Sequence, residues 1–153
     1  MNKRQFRIDR IEAVLHEYFA AETAAGLLGN AMKADPSFGR RHGWQQRAGR
    51  DFIANLEETY IIRIYAEFEA GLRDYWVTYN RRQTHPGMEQ LLNSAIPTQL
   101  FSRDTIDRAE AVRIYRNSLV PHRDGISDED AITVHEAKKF MCAYLACLDP
   151  NWG

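Results

Sequence analysis

The sequence predicts an all-α fold, a bundle of four main helices with one additional short helical piece, and three observations carry that reading. Apolar residues return at three- and four-residue spacing through most of the chain. No stretch alternates polar and apolar residues over the length of a strand. Proline and glycine gather at a few places and divide the chain into long uninterrupted segments. At 153 residues the chain suits a single domain with a sizeable core, spanning 1–153. Hydrophobic residues at 44% and charged residues at 27% match a folded, water-facing protein and not a disordered one.

The first helix is expected over about 4–28, where Ile8, Ile11, Leu15, Tyr18 and Phe19 recur at helical spacing and leave Arg7, Arg10, Glu12 and His16 elsewhere. Gly26 and Gly29 weaken its end, and 30–44, with Pro36 and two glycines, reads as a connecting loop. A long helix over about 45–82 carries a broad stripe of Ile61, Ile64, Tyr65, Phe68, Leu72, Tyr75, Trp76 and Tyr79, which should form the centre of the core. Thr84-His85-Pro86-Gly87 stops it, and a short helical piece over 88–95 ends near Pro97. The next helix starts near Ser102 or Asp104, either of which can cap it, and continues to about Leu119, because Pro121 turns Val120 away from the helical region. The segment 126–130, ISDED, is a second start signal, with Ser127 as N-cap followed by three acids. The last helix then runs to about Leu148 and buries Val134, Ala137, Phe140, Met141, Tyr144, Leu145 and Leu148.

Charge and composition narrow the function. The net charge of −1 supplies no global basic field, so a polyanion would be handled by a local patch and DNA is not an expected partner. Sixteen of the 20 basic residues are arginine, the better phosphate fork, a bias that genomic base composition also produces. Cys142 and Cys147 lie five apart on different helix faces, which speaks against a disulfide and for a reducing compartment. Neither has a Cys or His at metal-ligand spacing, so no metal or other cofactor is expected. With no bilayer-length apolar run and no signal peptide, the expected location is cytoplasmic, away from membranes. His16 and His135 fall on polar helix faces, and His42 and His85 in Gly/Pro-rich loops. No serine sits in a G-x-S-x-G setting and no glycine-rich phosphate loop follows a strand.

One arginine is out of place. Advancing about 100° per residue along 104–119 puts Ile106, Ala109, Val112 and Leu119 on one apolar face, with Arg116 near its centre. Arg103, Arg108 and Arg113 fall at its margins or away from it. A guanidinium taken out of water needs a partner or a wet cavity. Within the chain, Glu69 on the long helix and Glu22 on the first are candidate partners, which would make a structural ion pair. The alternative is a phosphate met in a pocket or at a subunit interface. His122 follows Pro121 on the next turn and can fold back towards Arg116, which pairs a permanent cation with the side chain that titrates near neutrality. Asn117 can bond a ligand or simply help to end the helix.

The run Arg116-Asn117-Ser-Leu-Val-Pro-His122, at the end of a late helix ahead of a final one, resembles the signature of HEPN domains. This is a family of small all-α proteins that often act as metal-independent ribonucleases. The signature is an arginine, often a polar residue after it, and a histidine four to six residues further on; here five intervene. The helix carrying YIIRIYAEFEAGLRDYW also resembles the family's preceding core helix. Arg10 and His16 repeat the spacing but lack the asparagine, the helix stop and the central apolar-face position. Pro121 departs from the commoner family form.

The resemblance implies RNA cleavage by 2′-hydroxyl attack, leaving 2′,3′-cyclic phosphate ends, in a toxin–antitoxin or phage-defence setting. It implies His122 as general acid or base, Arg116 as the transition-state cation and Asn117 as an orienting residue. Arg113 and Arg123 would hold RNA backbone, and Glu69 would hold Arg116 when no ligand is bound. It also implies a homodimer that brings two motifs into one cleft, with an antitoxin or other protein as a further partner. Against this stands a non-catalytic module of the same class that binds RNA or protein without cutting.

Overall fold

Asn2 opens the first helix by accepting the Gln5 backbone N–H on its side chain at 2.7 Å, and α1 then runs unbroken over Lys3–Ala34. The computed structural model describes residues 2–80, 84–95, 102–119, 131–150 and 152, and every regular element in them is a helix. Ile11, Val14, Tyr18 and Ala25 of α1 enter the core, whereas Phe19, expected inside, is 41% exposed. The two glycines do not end the helix. Gly26 faces open space and Gly29 only the side chain of Ile53, so the helix continues across both, with its far end packed on α2 and α3.

The expected loop over 30–44 is therefore mostly structured. Asp35 ends α1 and turns the chain, its carboxylate accepting the Ser37 N–H at 2.9 Å and hydroxyl at 2.7 Å. A single helical turn, α2 (Phe38–Arg41), follows, and Gly43 takes a φ of 84° that only glycine adopts without strain.

The long helix expected over 45–82 is in fact two, α3 (Gln46–Ala54) and α4 (Leu56–Asn80). They meet at Asn55, whose φ of −98° and ψ of 7° leave the helical region. The Asn55 carbonyl accepts both the backbone N–H and the hydroxyl of Thr59, at 3.1 and 2.9 Å, and so begins the new helix. A break one residue wide hardly disturbs a periodic pattern, and none shows in the sequence.

α4 is the centre of the molecule. Ile61, Ile64, Phe68 and Leu72 have no exposed surface, and the helix packs against α1, α6 and α7. Its stripe ends earlier than expected, since Tyr79 is 51% exposed and donates its hydroxyl to Asp149. The short α5 (Met88–Ser94) inserts Leu91 and Leu92 beneath α6. α6 (Arg103–Ser118) is capped by Ser102, whose side chain accepts the Asp104 N–H at 3.3 Å.

The start signal at Ser127 lies outside the described residues. The helix that is described, α7 (Val134–Ala146), begins with a capping box: Thr133 and Glu136 satisfy each other's backbone N–H groups. Its expected inward residues are buried, with Phe140 only partly so. After α7 the chain places Trp152 in the core, edge-on to Tyr75 with ring centroids 5.3 Å apart. Arg4 reaches across from α1 to the carbonyls of Ala146 and Leu148, at 3.2 and 2.8 Å. Among the described residues no helix is long and apolar enough to cross a membrane.

Candidate functional site

The apolar face of α6 is laid down by Ile106, Ala109 and Val112, all buried, and Arg116 stands one turn further along it, half-buried. The other three arginines of α6 are neutralised close at hand. Arg103 pairs with Asp107 at 3.2 Å, Arg108 with Asp104 at 2.7 Å, and Arg113 with both oxygens of Glu110 at 2.9 and 2.5 Å. Arg116 has no carboxylate within salt-bridge distance among the described residues. One terminal nitrogen donates to the Asn117 side-chain oxygen at 3.1 Å, and its central carbon lies 5.6 Å from the ring centre of Tyr65. Its Nε is buried and makes no hydrogen bond.

The two acids proposed as partners are engaged elsewhere. Glu69 takes a forked pair of bonds from Arg73, one turn along α4, at 2.9 and 2.7 Å. A neighbour four residues away on the same helix is already in register, which a guanidinium on another helix has to be brought to. Glu22 accepts the hydroxyl of Tyr18 at 3.3 Å. Neither acid is in an ion pair with Arg116 in this structure.

Tyr65 is the member of this cluster that sequence reasoning assigned only to the core. It is 2% exposed, and its hydroxyl is buried without a hydrogen-bond partner. Burial pushes the phenol far above its usual pKa, and Glu69 and Glu110 push the same way, while Arg113 and Arg116 oppose them. The group stays protonated and is a donor in want of an acceptor. No signal singled it out, since the same stripe also carries Tyr75, Trp76 and Tyr79.

The site therefore combines three guanidinium groups, of Arg73, Arg113 and Arg116, with the carboxylates of Glu69 and Glu110, and Glu89 of α5 also acts on Arg113. Among the described residues Arg116 is in no ion pair, and it stands beside a tyrosine hydroxyl that has no acceptor there. Asn117 takes the bond from Arg116 at the end of α6. Arg113 is half-buried and held by Glu110, so it does not reach freely into solvent. His122 and Arg123 lie outside the described residues.

Other chemistry is not assembled nearby. Among the described residues no three His, Cys, Asp or Glu side chains are grouped so that they could hold a metal ion. Cys142 and Cys147 are free, and burial raises both thiols, Cys142 to about 11, so neither is a ready nucleophile. A groove of about 750 Å³ between α1, α3 and α4, floored by Tyr18, Met32, Ile53 and Leu56, does not include the Arg116 cluster. No protein-family model matches the chain, and neither a curated protein nor a solved structure matches it.

Proposed function

We propose that this chain is a metal-independent endoribonuclease of HEPN type, with Arg116 and His122 as its working pair. The observation that carries the reading is the Arg116 guanidinium, held on the apolar face of α6 with a buried Nε unbonded and no carboxylate in reach among the described residues. Such a cation is stabilised by an anion supplied from outside, and a phosphodiester is an anion that a planar fork fits well.

In this mechanism His122 takes the proton of a ribose 2′-hydroxyl, and the 2′-oxygen attacks the adjacent phosphorus. The bond to the 5′-oxygen breaks, leaving a 2′,3′-cyclic phosphate on one product. A proton from a second acid, the histidine of a partner copy, completes the 5′-hydroxyl of the other. Arg116 stabilises the charge that builds on the non-bridging oxygens, and Asn117 holds that guanidinium in place.

The test is cleavage of cellular RNA in EDTA by the wild type beside Arg116→Ala and His122→Ala variants of unchanged helicity. The expected result is cyclic phosphate ends from the wild type and a loss of at least about 100-fold in each variant, the usual weight of a general acid–base group or an oxyanion donor. Cleavage that survives His122→Ala removes the proposed mechanism. A second reading, an RNA- or protein-binding module that cuts nothing, is favoured in its protein-binding form by the engagement of Arg113 with Glu110, which leaves one cation fewer for RNA backbone. Binding without cleavage in the same assay would select it.

A further inference from the structure

Buried polar groups in folded proteins nearly always find partners, and an unpaired one calls for an explanation of its own. Among the described residues four buried side-chain atoms lack a partner, and two of them, Arg116 Nε and Tyr65 Oη, belong to side chains in contact across the α4–α6 interface. Each of the two is a donor in its stable form: the guanidinium never deprotonates, and the phenol of Tyr65 stays protonated in its surroundings. Both donors lack an acceptor among the described residues, and the side chains that carry them meet with the guanidinium carbon 5.6 Å from the ring centre. Glu69 and Glu110 are each taken up by their own arginine, Arg73 and Arg113, and Arg116 is in no ion pair with a described residue.

We propose that Tyr65 and Arg116 form a two-donor cradle for one oxygen of a tetrahedral phosphate, the hydroxyl and the Nε–H each donating to it. Tyr65 is thus a further substrate-contacting residue, a reading that rests on the anion-binding role given to Arg116 above. Its phenol can supply a hydrogen bond without supplying charge, which fixes where the phosphate sits and leaves neutralisation to the arginine. Both donor atoms are buried, so in this proposal the anion enters as the half-buried Arg116 side chain, in the last turn of α6, changes rotamer, a fast event for a long side chain.

The cradle makes an unusual demand on a buried tyrosine. If the Tyr65 hydroxyl has no partner in the free protein, its removal takes away a desolvated donor and leaves no acceptor unpaired. Tyr65→Phe is therefore expected to keep or raise the melting midpoint of the free protein while binding the anion worse. The experiment measures melting midpoints and binding isotherms in EDTA, at fixed ionic strength, for wild type, Tyr65→Phe and Arg116→Lys. The probes are inorganic phosphate and a 2′-O-methyl oligoribonucleotide that cannot be cleaved.

The expected result is saturable binding of both probes by the wild type, weakened about tenfold by Tyr65→Phe, the scale of one hydrogen bond to a charged group. Arg116→Lys, which keeps the charge but loses the fork, should weaken binding as well. Wild-type affinity in Tyr65→Phe overturns the proposal, as does a fall of several degrees in its ligand-free midpoint, which would reveal an internal partner for the hydroxyl. Failure of the wild type to bind either probe overturns it too. Phosphate bound without the oligonucleotide supports the cradle and assigns it to a small phosphorylated ligand. Absent RNA cleavage alongside a tenfold Tyr65→Phe effect would remove the nuclease and leave the cradle standing.

Discussion

Tyr144 and Tyr65 are both buried, and their hydroxyls have opposite fates. The Tyr144 hydroxyl donates to the Leu92 carbonyl at 2.8 Å, joining α7 to α5, whereas the Tyr65 hydroxyl donates to no described residue. Removing the first strands a buried carbonyl, so Tyr144→Phe should lower stability by about 1–2 kcal/mol in urea denaturation. The same substitution at Tyr65 should cost nothing. At this scale the sequence revealed where Arg116 points, because rotation about a helix is set by the backbone and needs only counting. It did not reveal the partners. Glu69 lies close enough to act on the Tyr65 phenol, but its ion pair is decided by Arg73, one turn away on its own helix. Such competition between a local and a distant cation turns on geometry that spacing does not record.

Elements were legible where their interiors are periodic and less so at their ends. α6 followed from the pattern, with Ser102 one of the two caps it offered, whereas the break at Asn55 and the turn of α2 did not, because each is shorter than the period that would expose it. The start of α7 shows what a cap contributes. The Glu136 carboxyl is held below its ordinary value of 4.5, first by the Thr133 backbone N–H and then by its hydroxyl. The folded state therefore favours the ionised form. That contribution is complete above the ordinary value and disappears as pH falls through the lowered one. Helicity followed by circular dichroism from about pH 6 to pH 3 should show a shallower acid loss in Glu136→Gln than in the wild type, because the amide does not titrate there.

The α2–α3 corner makes a separate prediction. A methyl group on Gly39 would come within 2.7 Å of the Trp44 ring and 2.8 Å of its carbonyl oxygen. Backbone cannot yield as a flexible side chain can, so Gly39→Ala should lower stability by about 1–3 kcal/mol in thermal or urea unfolding.

For the molecule as a whole, the all-helical character was plain in the sequence, since a repeated period of 3.6 survives every error at the boundaries. What holds the helices together is chiefly the apolar core around α4. The ion pairs that lace its surface, Arg10 with Glu67 at 2.7 Å, Arg63 with Glu17 at 2.6 Å and Lys138 with Glu12 at 2.9 Å, each involve at least one side chain about half exposed to water. Pairs of this kind contribute about 0–1 kcal/mol and are screened by salt. Raising sodium chloride to about 0.5 M should therefore move the melting midpoint by no more than a few degrees, as differential scanning calorimetry can check.

The grip of Arg4 on the carbonyls of Ala146 and Leu148, with Trp152 seated against Tyr75, has a consequence in time. These contacts join residues 142 and 144 positions apart, so they close a very long loop of chain. A ribosome makes α1 well before α7, and part of the surface that buries Ile11 and Val14 is missing until the intervening chain has followed. Closure of the clasp is therefore a late event in folding, because contacts of such separation form only after local ones have been made.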